Sequence, residues 1–312
     1  MIICLAANPS IDKLFEVEHL VKGDIHRPMG FVQKAGGKGL NVARAARALG
    51  ADVTAVALLR GHTGRWIAEQ LEAEGVPSVG VWTHGENRSS LSVADRGTDG
   101  LTEFYESGTE VPASAWTELM HETASLFDGA GWLTISGSLP PGAPEKGYRD
   151  LVAEARSAGV RVAVDADGDR LGLALEAGPD VVKVNRAEAE GHLGVPTGSR
   201  EEALAAAGKL RALAGGEGHA GVITRGADGV VLVAPDGTRY EGRMFVRGRY
   251  PVGSGDAFLA GLITALDRGQ LWGGALRMAL GAATANAELP GAGVLEPARA
   301  AALAEEAEVR EI

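Results

Sequence analysis

Cysteine is almost absent from this chain. Cys4 is the only one among 312 residues, which excludes an intrachain disulfide and a cysteine-based zinc knuckle, and its place in the apolar run 2–7 reads as a core thiol rather than a nucleophile. Long hydrophobic runs are also missing: none approaches the roughly 18 to 20 residues of a membrane span. The start of the sequence, Met1-Ile-Ile-Cys-Leu-Ala-Ala7, has no basic region of the kind that opens a secretory signal. Positive charge is outnumbered, with 30 Lys and Arg against 41 Asp and Glu and a net charge of -11. That balance argues against non-specific binding to nucleic acid or to an anionic membrane, although a local basic pocket remains compatible with it. The expectation is a cytoplasmic protein with neither nucleic acid nor membrane as partner.

Three phosphate- and metal-binding signatures are incomplete. Lys38 is followed by Gly39 rather than Ser or Thr, so there is no Walker-type loop. Gly37-Lys-Gly39 and Gly253-Ser-Gly255 each lack the third glycine of a dinucleotide fingerprint. Asp165-Ala-Asp-Gly-Asp-Arg170 with Glu176 spaces its carboxylates like a calcium loop. It lacks the glycine at the sharp turn and follows a strand rather than a helix, which argues against an EF-hand.

What is abundant is glycine, 45 residues interleaved with apolar segments, in a chain that is 45% hydrophobic and 23% charged. This suits one large domain, or one domain with a small appendage, containing many tight strand-to-helix turns. Strands are predicted over 2–7, 53–59, 78–83, 132–136, 160–164, 181–184 and 220–224. Helices are predicted over 42–49, 64–74, 114–126, 145–157, 170–176, from 187, over 200–213, 257–267, 272–287 and 296–306, with a short β segment at 229–246. Such alternation gives a parallel sheet with helices on both faces. Two segments break it: 10–33 has no helical period, and 85–108 reads as a hairpin around Gly97-Thr-Asp-Gly100. Together they are expected to form a small β-rich lid on a main domain made of 1–9, 34–84 and 109–312.

In an open α/β sheet, ligands bind beyond the carboxyl ends of the strands. The residues that follow the predicted strands are Asp12, Gly137-Ser138, Asp165, Lys183 to Glu188 and Thr224 to Gly229, all polar or glycine-rich. The organising stretch lies downstream, Arg249-Tyr-Pro-Val-Gly-Ser-Gly-Asp256. Pro251 disfavours helix before it, and the small residues that follow leave three backbone N–H groups free at a helix start, where the helix dipole also favours an anion. Asp256 is then either the base that faces an incoming hydroxyl or simply a helix cap. Asn185 and Glu188 are either a hard-oxygen pair suited to a hydrated magnesium ion or a capping box. Arg27 and Arg88, in the lid segments, suit bidentate capture of a phosphate ester or are solvated surface arginines.

Assembled, these residues resemble the PfkB (ribokinase-like) carbohydrate kinases nearly end to end. The resemblance rests on Gly36-Gly-Lys-Gly-Leu-Asn-Val42, Ser136-Gly-Ser-Leu-Pro140, Asn185-x-x-Glu188, Thr224-x-Gly-x-x-Gly229 and Pro251-Val-Gly-Ser-Gly-Asp256, in the family's order. Within the family, Ala7-Asn-Pro-Ser-Ile-Asp12, Arg27, Arg88 and Thr102-Glu103 are most similar to the 1-phosphofructokinase and tagatose-6-phosphate kinase branch. The resemblance implies an α/β fold, a three-layer αβα sandwich with a mainly parallel central sheet and a small β-rich lid that commonly forms a homodimer interface. It implies Asp256 as catalytic base and Gly253, Ser254 and Gly255 as the anion hole. Asp12, Gly37, Lys38 and Asn41 would bind the sugar, and Arg27, Arg88 and Ser138 its existing phosphate. Lys183, Asn185 and Glu188 would serve the ATP phosphates and magnesium, the last two through water. Thr224, Gly226 and Gly229 would bind the nucleotide and Asn286 its adenine side. Three positions depart from the family pattern: Val184 stands for the usual Pro, Asp167 for a common Ser, and Tyr105 where fructose-1-phosphate kinases often have Asn. A kinase of an unphosphorylated sugar or nucleoside, and a non-catalytic sugar-phosphate sensor, are the competing readings.

Overall fold

Fourteen strands and ten α-helices are present among the residues that the computed structural model describes, 1–98 and 100–312. The tip of the predicted hairpin includes Asp99, which lies outside them. The main sheet has ten strands, ordered β14-β13-β12-β11-β10-β9-β8-β1-β4-β5. These are β1 (Ile2–Ala6), β4 (Val53–Arg60), β5 (Ser78–Thr83), β8 (Trp132–Ser136), β9 (Arg161–Asp165), β10 (Val181–Asn185), β11 (Ala220–Thr224), β12 (Val230–Val233), β13 (Arg239–Arg243) and β14 (Glu308–Glu311). From β11 to β5 every pairing is parallel, and the strands beyond β11 are antiparallel. Alternate side chains of a strand face opposite sides. Ile2, Cys4 and Ala6 of β1 therefore enter one apolar layer while Ile3 and Leu5 enter the other.

The first layer holds α1 (Lys38–Ala48), α2 (Gly61–Ala73), α8 (Ser254–Asp267), α9 (Trp272–Glu288) and α10 (Pro297–Glu306). The second holds α3 (Ala113–Ala124), α4 (Gly147–Ser157), α5 (Gly168–Glu176), α6 (Arg186–Leu193) and α7 (Arg200–Leu213). This is the expected αβα sandwich with a mainly parallel centre. Gly39 lets α1 lie against β1, since a Cβ there would fall 2.1 Å from the Leu5 carbonyl oxygen.

A second sheet of four strands is ordered β3-β2-β6-β7, from β2 (Ser10–Val17), β3 (Gly30–Gly36), β6 (Arg88–Asp95) and β7 (Gly100–Tyr105). It is mixed: β2 and β6 run parallel, and the outer strands are antiparallel to them. The largest departures from the sequence reading are at helix starts: the helices expected from 42, 64 and 257 begin at Lys38, Gly61 and Ser254, and the terminal strand β14 has no counterpart in that reading. Among the described residues no helix is long and apolar enough to cross a membrane.

Candidate active site

The carboxyl ends of the central strands and the N-termini of α1 and α8 meet at a cleft of about 910 Å³. Its lining includes Asp12, Gly37, Lys38, Asn41, Arg88 and Ser138 towards the small sheet. Lys183, Asn185, Glu188, Thr224, Gly226 and Gly229 line it along β10 and β11, and Gly253, Ser254, Gly255 and Asp256 at α8. Two predicted site residues are not brought there. Arg27 is exposed on the connection between β2 and β3 and does not line the cleft. Asn286, expected on the adenine side, is fully buried beneath the turn, where its Nδ2 donates to the Val252 carbonyl at 2.9 Å and to Ser254 Oγ at 3.3 Å. It props up the turn and does not line the cleft.

The turn is built by backbone conformation. Gly253 has φ 80°, in the left-handed region, and a Cβ on it would stand 2.6 Å from Ala292 Cα; only glycine fits both demands. The Ser254 amide donates to the Pro251 carbonyl at 3.1 Å and the Ala257 amide to Gly253 at 2.9 Å. Among the described residues the amides of Gly253, Gly255 and Asp256 have no backbone partner outside the helix. Ser254 thus drops out as an amide donor, and Asp256 takes its place among the three free N–H groups.

Asp256 lies within the first turn of α8, past the N-cap position, which Gly253 occupies. Its Oδ2 instead accepts a hydrogen bond from Asn41 Nδ2 at 2.9 Å, which rules out the helix-cap alternative. The carboxyl is 6% exposed. Burial pushes its pKa up from 3.8 to about 7, aided by the nearby Asp165 charge and opposed by Lys38, the Asn41 hydrogen bond and Lys183. A carboxyl poised near neutrality can take a proton from a hydroxyl with more driving force than an ordinary one.

Beneath the cleft floor Asp165, with no exposed surface, bridges two ammonium groups, Lys38 Nζ at 2.8 Å and Lys183 Nζ at 2.5 Å. Its own burial would raise its pKa, but the two lysines hold the carboxylate below its ordinary value. Burial would likewise lower Lys38, yet the Asp165, Glu188 and Asp256 carboxylates hold it above its usual range. Lys183 lies under the turn, 3.0 Å from where a Gly255 Cβ would be. Asp165 was visible in the sequence only as a polar residue past an apolar strand, inside a segment that mimicked a calcium loop.

Asn185 and Glu188 do form a reciprocal capping box, with bonds of 2.9 and 2.7 Å. The second Glu188 oxygen accepts from Lys38 Nζ at 3.1 Å. Among the described residues no group of three or more His, Cys, Asp or Glu side chains is arranged to hold a metal ion.

At the opposite end, Arg88 donates from Nε to the Asn8 carbonyl at 3.2 Å and from Nη1 to Ser90 Oγ at 3.1 Å. Asn8 Nδ2 in turn donates to Ser138 Oγ at 3.2 Å. Burial lowers the Arg88 pKa, with Asp12 opposing. Asp12 accepts from Ser10 Oγ at 2.6 Å and from the Gly37 amide at 3.3 Å, and a Cβ on Gly36 would overlap its carboxylate at 2.0 Å. The paired glycines of the Gly36-Gly-Lys-Gly39 motif are thus what lets Asp12 reach the helix start. Tyr105 stands at the cleft wall with its hydroxyl donating to Glu103 Oε1 at 2.5 Å.

Layering and strand order place the chain in the ribokinase-like fold class. Phosphofructokinase-2 from Escherichia coli, in its crystal structure with substrates and products, superposes with a TM-score of 0.90 over 98% of each chain at 24% identity. Ribokinase from Arabidopsis thaliana, complexed with ribose and ATP, gives 0.77 over 97% of this chain and 98% of that one at 17% identity. In sequence, residues 6–299 match the family described as pfkB family carbohydrate kinase. A curated 1-phosphofructokinase from Haloferax volcanii is 34% identical over 299 residues, 95% of this chain and 93% of its own. The chain belongs to the pfkB family and is an ATP-dependent carbohydrate kinase.

Proposed function

We propose that the protein transfers the γ-phosphoryl group of ATP to a hydroxyl of a ketohexose phosphate of the fructose-1-phosphate or tagatose-6-phosphate type, with fructose-1-phosphate the favoured acceptor. The observation that carries this reading is the buried Asp256 carboxyl, held by Asn41 at 2.9 Å beside free amides at the start of α8. The name and 34% identity of the Haloferax volcanii relative favour the 1-phosphate acceptor.

In this reading Asp256 accepts the proton of the attacking hydroxyl, while the amides of Gly253, Gly255 and Asp256 hold the transferring oxygens. Phosphoryl transfer needs little covalent help, so placement and charge stabilisation dominate. Asp12, Gly37, Lys38 and Asn41 orient the sugar, and Arg88 and Ser138 hold its existing phosphate. Lys183 meets the ATP phosphates from below. Thr224, Gly226 and Gly229 shape the nucleotide end. Magnesium, bound to the ATP phosphates, would neutralise their charge, with Asn185 and Glu188 touching its waters. Residues 10–33 and 85–108 act as a lid over the body formed by 1–9, 34–84 and 109–312, and closure dries the site and strengthens each amide contact. The outer side of that small sheet, with Phe31 and Phe104 58% and 59% exposed, pairs with a second copy to form a homodimer that carries Arg27. The reaction takes place in the cytoplasm, with no nucleic-acid or membrane partner.

The test is ADP release with fructose-1-phosphate, tagatose-6-phosphate, fructose-6-phosphate, fructose and ribose, side by side. Fructose-1-phosphate should give the highest kcat/KM. Faster turnover of a free sugar would replace the reading with a kinase of unphosphorylated acceptors, and no ADP with any of them would leave a sensor.

A further inference from the structure

We propose that Arg44, which does not line the cleft, is a positioning residue that fixes the ionised form of Asp256 by orienting the Asn41 amide. The inference deepens the reading above and rests on Asp256 being the base.

Arg44 follows Asn41 by one turn of α1 and is 7% exposed. Its Nε donates to Glu74 Oε2 at 2.7 Å, and Glu74 is itself held by Lys34 Nζ at 3.0 Å. Its Nη1 donates to Asn41 Oδ1 at 3.3 Å and to the Ala292 carbonyl at 3.1 Å, and its Nη2 to the Ala35 carbonyl. A guanidinium has donors only, whereas an amide has a donor end and an acceptor end. With Arg44 on one side, Asn41 must turn its oxygen to the arginine and its NH₂ to Asp256. A carboxyl that faces an NH₂ group is favoured as carboxylate; one that faces an amide oxygen is favoured as the protonated acid, which cannot act as a base. Arg44 therefore selects which face of a two-faced side chain the base meets.

The Ala292 contact has a second effect. A Cβ on Gly293 would stand 2.5 Å from the Asn41 carbonyl oxygen, and one on Gly253 2.6 Å from Ala292 Cα. The 292–293 backbone is thus wedged between α1 and the anion turn. Arg44 pins that wedge and the amide together, so base and turn share one anchor.

The charged groups acting on Asp256 are Lys38 of α1, Asp165 at the end of β9 and Lys183 of β10, and none of them is altered by substituting Arg44. In Arg44→Met the acid limb of the kcat/KM profile should move up by about half to one pH unit, so that activity falls more at pH 6.5 than at pH 8.5. Titration of the acceptor's own phosphate is common to both enzymes and cancels in the comparison. In an Asn41→Ala background the same substitution should move the limb no further. A folded Arg44→Met protein with an unmoved limb overturns the proposal, as does a shift that persists undiminished without Asn41. A purely structural role would lower activity evenly across pH. Where Arg44→Met does not fold, Glu74→Gln loosens the same anchor and should give a smaller upward shift; an unmoved limb there overturns the proposal too. Near-normal turnover in Asp256→Asn would remove the base itself, whereas an inactive Asp256→Asn with an unmoved limb in Arg44→Met removes only the role of Arg44.

Discussion

Asp256→Asn perturbs two quantities at once, and the structure gives a sign for each. The substitution keeps the shape and can still accept from Asn41 Nδ2, but it removes the proton acceptor. A positioned general base is worth about 10² to 10⁴ in rate, so kcat should fall by at least about a hundredfold while KM for ATP stays within about threefold. Stability should move the other way. Burial raises the folded-state pKa of Asp256 from 3.8 to about 7, so the folded protein keeps this proton at pH values where the unfolded chain has lost it. Stability from this group is fully present below the unfolded pKa and declines as pH rises through the folded one. The decline has a ceiling of about 4 kcal/mol, and asparagine escapes it. The variant should melt higher than wild type by a few degrees at pH 8, with the gap closing as the pH is lowered toward 4. Coupled ADP release and thermal melts between pH 4 and pH 8 measure both. Turnover within tenfold of wild type would refute Asp256 as the base, and equal melting temperatures at pH 8 would refute the buried-charge argument.

Arg88→Ala should raise KM for fructose-1-phosphate at least about tenfold and leave KM for ATP nearly unchanged, because its Nε and Nη1 bonds lie at the sugar end of the cleft; equal changes in both constants would count against a phosphate clamp. Asp165→Asn leaves the two ammonium groups it bridges without their shared counter-ion. Breaking such a buried pair by removing one partner destabilises by about 3 to 5 kcal/mol, read as a lower urea midpoint at pH 7. Because its folded pKa is depressed, the wild-type advantage should persist above about pH 4 and vanish as the pH falls further; a midpoint equal to wild type at pH 7 would refute the bridge.

The parts of this molecule that were legible in the sequence are those encoded by short-range pattern. Alternating apolar runs and glycine stops placed β4, β8, β10, α7 and α9 to within a residue or two, because strand and helix periods are local. Gly253 and Gly255 marked the turn for the same reason. Whether Asp256 capped its helix or faced the cleft could not be read, since the deciding partner, Asn41, lies 215 residues away. Asn286 looked like a ligand residue because an asparagine near a nucleotide motif carries no mark of direction; only packing turns its NH₂ onto Val252. Arg27 is set apart from its own cleft by the path of the connection between β2 and β3, which follows no periodic rule. The strand β14 is held by its pairing to β13, and its residues Glu308-Val-Arg-Glu311 carry almost no apolar signal.

The carboxylate shared by Lys38 and Lys183 bears on how a polyanion finds this protein. Two ammonium charges meet Asp165 and Glu188, and Arg88 has Asp12 near it. With its charges matched so closely, the pocket throws little positive potential into a solvent that already surrounds a chain of net charge -11. Peptide dipoles and the paired cations Arg88 and Lys183 then hold phosphate at contact range, which makes recognition a matter of fit after arrival instead of steering during approach.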